Sequence, residues 1–109
     1  MIRKRFVLEA NPPYVEVTFV LPNCIWADTI HLVGDFNHWD RTAHPFQRDH
    51  DGNWTLTLHL EIGHTYQFRY LSNGEEWHTD NKADGYVNNE HGSANALVIT
   101  DPDFHPHLE

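Results

Sequence analysis

The chain has little of what would staple, anchor or stretch a protein. Cys24 is its only cysteine, so no internal disulfide can form. A lone thiol suits a reducing compartment, and the expected location is cytoplasmic. Cations are scarce: seven Lys plus Arg stand against sixteen Asp plus Glu, a formal net charge of −9 with His neutral. A phosphate backbone is held by neutralising cations, so nucleic acid is not an expected partner. An anionic membrane surface is disfavoured for the same reason. Long apolar runs are missing too. No stretch approaches transmembrane length. The N-terminal "MIRKRFVLEANPP" offers only a three-residue apolar run before Glu9, too short for a signal-peptide core. No segment sustains a helical period.

What remains is a 109-residue chain, 39% hydrophobic and 21% charged, enough for one domain with one core. Its dominant pattern is alternation with period two. In "YVEVTFVL" Val15, Val17, Phe19 and Leu21 share one face, against Glu16 and Thr18 on the other. Ile30 and Leu32 alternate with Thr29 and His31. Trp54, Leu56, Leu58 and Leu60 oppose Thr55, Thr57 and His59. Tyr66, Phe68 and Tyr70 oppose Gln67 and Arg69. "NALVIT" adds a short strand, and "RFVLE" an edge strand within the lead-in 1–13. Asp51-Gly52 and Asn73-Gly74 are hairpin-turn pairs, because both residue types tolerate positive φ. The expectation is an all-β, antiparallel, immunoglobulin-like sandwich of about six to eight short strands spanning 1–100. Residues 101–109 read as an irregular tail, and Leu108-Glu109 has the look of a cloning scar. The segment 79–95 shows no strand pattern and reads as a long loop of the kind that carries function.

Four tryptophans divide by context. Trp54 belongs to an apolar strand face and reads as core; Trp26 precedes a strand and fits core or rim. Trp39, in "DFNHWD", and Trp77, in "NGEEWHTD", follow glycine-marked turns among polar residues. Each either folds back over one end of the sandwich or serves as a flat platform. A sugar ring suits such a platform, since its axial C–H face stacks on an indole while its hydroxyls need polar partners at the edge.

Four blocks in order, "VGDFNHWD", "DGNWTLTLHL", "TYQFRYLSNGEEWHTD" and "NNEHGSANALVI", resemble carbohydrate-binding module family 48. They are similar to the glycogen-binding domain of the AMP-activated kinase β subunit. They are equally similar to the early-set domains at the N-termini of isoamylases and branching enzymes. The resemblance runs from Ile30 to Ile99 and implies an early-set fold with α-glucan as ligand. It assigns the two stacking tryptophans to Trp39 and Trp77, the second shifted by one extra residue in "GEEW". It places Arg69 where the family has a sugar-bonding lysine, Asn95 on its asparagine and Ser93 on a small hydroxyl. At the leucine that threads a cyclic glucan this chain has His91.

Ten histidines do not assemble a metal motif: His44, His50, His105 and His107 lack a ligand pair at zinc spacing. No metal or cofactor is expected. Asp35, Asp40, Glu75, Glu76 and Asp80 are candidate acids only by nearness to the platforms, and glycosidases need two carboxylates across a cleft. A sandwich of this length offers a face, and the family's catalytic barrel is absent, so no catalytic residue is expected. Two functions stay open. One is a non-catalytic α-glucan-binding module, expected to be monomeric. The other is a structural or docking domain beside a catalytic domain or partner protein, without useful sugar affinity.

Overall fold

The computed structural model describes residues 1–22, 27–89 and 92–104. Cys24, Trp26, His91, His105, His107 and Leu108-Glu109 lie outside the described residues.

Among the described residues ten strands follow one another: β1 (Ile2–Val7), β2 (Tyr14–Leu21), β3 (Ile30–Gly34), β4 (His44–Pro45), β5 (Gln47–Arg48), β6 (Trp54–Glu61), β7 (Thr65–Ser72), β8 (Glu76–His78), β9 (Gly85–Asn88) and β10 (Ala94–Ile99). They form two antiparallel sheets. The first has the order β1-β2-β6-β5. The second has the order β4-β3-β7-β10-β9, with β8 also paired to β7. The four alternating runs and "NALVIT" are strands, the edge strand read in "RFVLE" runs over Ile2–Val7 instead of reaching Glu9, and this is an immunoglobulin-like sandwich. β4, β5, β8 and β9 come in addition. Each has four residues or fewer, too short for alternation to show. Gly85–Asn88 corrects the reading of 79–95 as strandless: it pairs with β10, Asn95 facing Val87 and Leu97 facing Gly85.

Register turns alternation into layers. β2 pairs with β6 along its full length, Val15 to Leu60, Val17 to Leu58, Phe19 to Leu56 and Leu21 to Trp54. These side chains meet Ile30, Leu32, Phe68, Tyr70, Ala96 and Val98 from the second sheet in one core. Phe19 packs edge-on against Phe68 with centroids 5.1 Å apart. A fully buried side chain of this size contributes about 1.5–3 kcal/mol. Tyr70 brings a hydroxyl into the interior and donates it to Asp80 Oδ2 at 2.7 Å, which satisfies both groups.

The hairpin turn at Asn73-Gly74 forms with φ of 53° and 71°. Asn73 Oδ1 accepts from the backbone N–H of Asp28 at 2.7 Å, pinning the turn to the approach of β3. The second sheet's outer face also holds apolar residues. Val33 and Leu71 are fully buried yet stand outside the inter-sheet core. Val33 faces Arg69 in register and Leu71 faces Trp77. That covered face is where the polar candidates gather.

Candidate functional site

The site begins at Gly34, the last residue of β3. Its backbone is extended, so positive φ is not the reason for glycine here. Space is. A Cβ would stand 2.5 Å from the carbonyl oxygen of Gln67 and 2.9 Å from Phe68 Cβ. The chain then makes a single 3-10 turn over Asp35–Asn37. Asn37 is buried and closes this turn from inside. Its Nδ2 donates to Leu32 O at 2.9 Å and meets His44 Nδ1 at 2.8 Å, while its Oδ1 accepts from Gly34 N at 3.1 Å.

His38 and Trp39 follow with φ of 57° and 59°. Consecutive left-handed residues, one of them bulky, are uncommon and cost of order 1–3 kcal/mol each. Local hydrogen bonds offset this. Trp39 N donates to Gly34 O at 2.9 Å and Asp40 N to Asn37 O at 3.1 Å. The indole Nε1 donates to Asp35 Oδ1 at 2.9 Å. Asp35 Oδ2 accepts from Gln67 N at 2.8 Å, just past the end of the β3–β7 ladder. One carboxylate thus fixes the indole and ties its loop to the second sheet. Trp39 remains part-exposed.

Arg69 lies on the outer face of β7 and Trp77 on β8, two rungs apart on the same face. The Arg69 guanidinium stands 5.7 Å from the Trp77 ring centroid, and that of Arg41 stands 5.4 Å from it. Arg69 Nη1 donates to Ser93 Oγ at 3.3 Å, while its buried Nε has no partner. Asn95, on β10, donates to Gln67 Oε1 at 3.0 Å and accepts from Asn89 Nδ2 at 3.2 Å. Asn89 also accepts from Ser93 N at 3.2 Å, bracing the loop between β9 and β10. Trp39, Arg41, Arg69, Trp77, Asn89, Ser93 and Asn95 line one open depression of about 700 Å³.

Five of the six candidate residues, Trp39, Trp77, Arg69, Ser93 and Asn95, are therefore brought together on one face; His91 lies outside the described residues. Trp77 and Asn95 sit on strands rather than in loops. Sequence reasoning missed Arg41, Asn89 and Gln67. Gln67 shares strand parity with Arg69, a signal present in "TYQFRYL". Arg41 and Asn89 carried none, because a left-handed turn and a short hairpin deliver them. Trp54 is 5% exposed and belongs to the core.

The candidate acids are dispersed. Both Asp35 oxygens are engaged in positioning. The Thr42 backbone N–H and hydroxyl hold the exposed Asp40 carboxyl below its usual range. Glu75 and Glu76 are exposed. Asp80 is buried, which pushes its pKa up. Hydrogen bonds from the Met1 ammonium, Tyr70 and Lys82 N outweigh burial and leave it below the ordinary 3.8. Among the described residues the depression is lined by no carboxylate, and no three metal-ligating side chains gather anywhere.

The family described as carbohydrate-binding module 48 (isoamylase N-terminal domain) matches residues 22–102. The 1,4-alpha-glucan-branching enzyme of Saccharomyces cerevisiae is 46% identical over 59 residues, 51% of this chain and 8% of that protein. The 1,4-alpha-glucan branching enzyme of Butyrivibrio fibrisolvens is 41% identical over 69 residues, 59% of this chain and 10% of that protein. That of Thermosynechococcus vestitus is 33% identical over 82 residues, 71% of this chain and 10% of that protein. The chain thus spans a tenth or less of the length of these relatives.

Proposed function

The chain belongs to the carbohydrate-binding module 48 family, and from that premise we propose that it is a non-catalytic α-glucan-binding module whose site is the Trp39–Trp77 depression. The observation that carries this reading is the gathering of two part-exposed indoles with Arg69, Ser93 and Asn95 around one concave face. The indoles offer apolar surface to the C–H faces of glucose units. The polar rim offers hydrogen bonds to hydroxyls. Trp39 has already committed its N–H to Asp35, so its ring acts as a stacking surface of fixed tilt. Arg69 brings its guanidinium to the lining beside Ser93. Asn95 retains one amide hydrogen and one lone pair beyond its bonds to Gln67 and Asn89.

Binding should be weak. Stacking about 100 Å² of sugar on each ring contributes on the order of 2.5 kcal/mol per ring. Each hydrogen bond exchanged with water nets about 1 kcal/mol. Association and ordering cost about 4 kcal/mol or more. A short maltooligosaccharide is then held at about millimolar Kd, and a cyclic glucan more tightly because its ring has less freedom to lose.

The relatives are branching enzymes matched over a tenth or less of their length, which supports a place beside a catalytic domain of that kind. One feature favours docking in addition to binding. β9 is an edge strand whose Tyr86 and Val87 are 47% and 40% exposed.

Titration with maltoheptaose and β-cyclodextrin, followed by tryptophan fluorescence and amide shifts, tests the reading. Saturable shifts at residues 39, 69, 77 and 95 support it. A flat response at tens of equivalents of cyclodextrin leaves docking as the function. Release of reducing sugar from starch by the pure chain would overturn its non-catalytic character.

A further inference from the structure

The charge of the depression does not follow that of the chain. The protein carries sixteen acidic residues and seven basic ones, yet two of those seven, Arg41 and Arg69, line this one depression. No described carboxylate lines it with them. Of the cations elsewhere, Lys4 pairs with Asp84, Arg5 with Glu16, and Arg48 lies over the Trp54 ring. The nearby acids are occupied. Asp35 accepts from Trp39 and Gln67, and Asp40 from Thr42. Glu76 precedes Trp77 on β8 and so points to the opposite face.

The two guanidiniums are also unlike in mobility. Arg69 is half-buried and tied to Ser93. Arg41 is exposed and lies over the Trp77 ring. A cation over an exposed ring is held by only about 0.5–1 kcal/mol, so it can swing toward an anion at little cost. A guanidinium presents a planar set of donors that fits phosphate oxygens two at a time. The overall negative charge does not prevent this. At ~0.15 M ionic strength charges beyond about 8 Å are screened, so the two local cations set the field in the depression.

Resting on the glucan-binding reading, we infer that this site prefers an α-glucan carrying a phosphate monoester, with Arg41 as the residue that selects for it and Arg69 as the second cation. The sugar rings stack on the indoles while the ester group is held at the guanidinium end.

The test compares β-cyclodextrin with its mono-6-phosphate on the whole chain by calorimetry and amide shifts. The phosphorylated ring should bind roughly five- to tenfold tighter in dilute salt. That ratio should shrink toward one between ~0.01 M and ~1 M salt. R41A should bring the ratio near one, whereas R3A, a charge loss on β1 of the other sheet, should leave it. Equal or weaker binding of the phosphorylated ring sinks this inference alone, provided plain β-cyclodextrin binds. A preference undiminished in R41A also overturns it. Binding of the phosphorylated ring without the plain one supports the inference and removes the neutral-glucan reading. Binding of neither removes both.

Discussion

Trp54 and Trp77 are the same side chain in two settings. Each has a guanidinium above its ring, Arg48 at 4.3 Å over Trp54 and Arg41 at 5.4 Å over Trp77. Trp54 is 5% exposed, sits opposite Leu21 in the first sheet and packs into the core between the sheets. Trp77 stands on the outer face of the second sheet, opposite Leu71, and stays part-exposed beside a depression. The difference lies in strand parity. Trp54 shares parity with Leu56, Leu58 and Leu60, so hydrophobic burial claims it. Trp77 shares a face with Arg69, where the floor is already covered and the rim is polar. An indole on such a face has surface to offer a ligand.

Mutations should separate the two settings. The largest effect is expected for Trp54→Ala, which empties part of the core and should cost about 3–5 kcal/mol of stability. Chemical denaturation measures it, and glucan affinity per folded molecule should hold. If affinity fell while stability did not, Trp54 would belong to the site. Next comes Gly34→Ala. Its methyl meets a backbone carbonyl that cannot swing aside, and overpacking of this kind costs about 1–3 kcal/mol. Here stability and glucan binding should fall together, because the same turn aims Trp39.

Trp39→Ala and Trp77→Ala should instead lower affinity for β-cyclodextrin by more than about tenfold, with each ring's stacking lost. Their unfolding midpoints should stay near wild type, within about 1 kcal/mol. Asp35→Asn is a subtler probe. The ring stays, but asparagine has one acceptor oxygen for two donors, so either the indole bond or the Gln67 N bond is lost and the survivor becomes neutral; a loss of several-fold in affinity is expected, on the order of 1 kcal/mol.

The smallest predicted effect concerns pH and should leave the site alone. Asp80 is held below 3.8 by its three donors. A depressed carboxylate contributes stability that is complete above its unfolded value and lost as pH falls through its folded value. Tyr70 is the opposite case. Burial first, then the Asp80 charge, raises its pKa well above 10.0. Its contribution is complete below that unfolded value and is lost as pH rises through the folded one. Unfolding midpoints should therefore decline in acid below pH 3.8 and in strong base above pH 10. Tyr70→Phe should flatten the basic limb; a limb unchanged in that variant would place its cause elsewhere.

Most of the fold was legible in the chain itself. Alternation in "YVEVTFVL", "WTLTLHL" and "TYQFRYL" tells which side chains face the core, because a strand's side chains have a fixed period of two. The positive φ of the Asn73-Gly74 turn follows from residue type. The short strands β4, β5, β8 and β9 were not legible. Two to four residues carry no period, and pairing with a neighbour is what makes them strands. The site divides in the same way. Composition and context marked Trp39 and Trp77 as unlike Trp54, and parity put Gln67 and Arg69 on a polar face. Only tertiary structure brought these residues around one depression with Arg41 and Asn89. The pairing of Trp77 with Leu71, two residues on from Arg69, sets the indole beside the guanidinium, and the left-handed step at His38–Trp39 aims a second indole across from them. Local sequence fixes the direction of a side chain on its own strand. Which distant side chain it meets depends on register and strand order within the second sheet and on the turn that Asp35 ties to Gln67, 32 residues on.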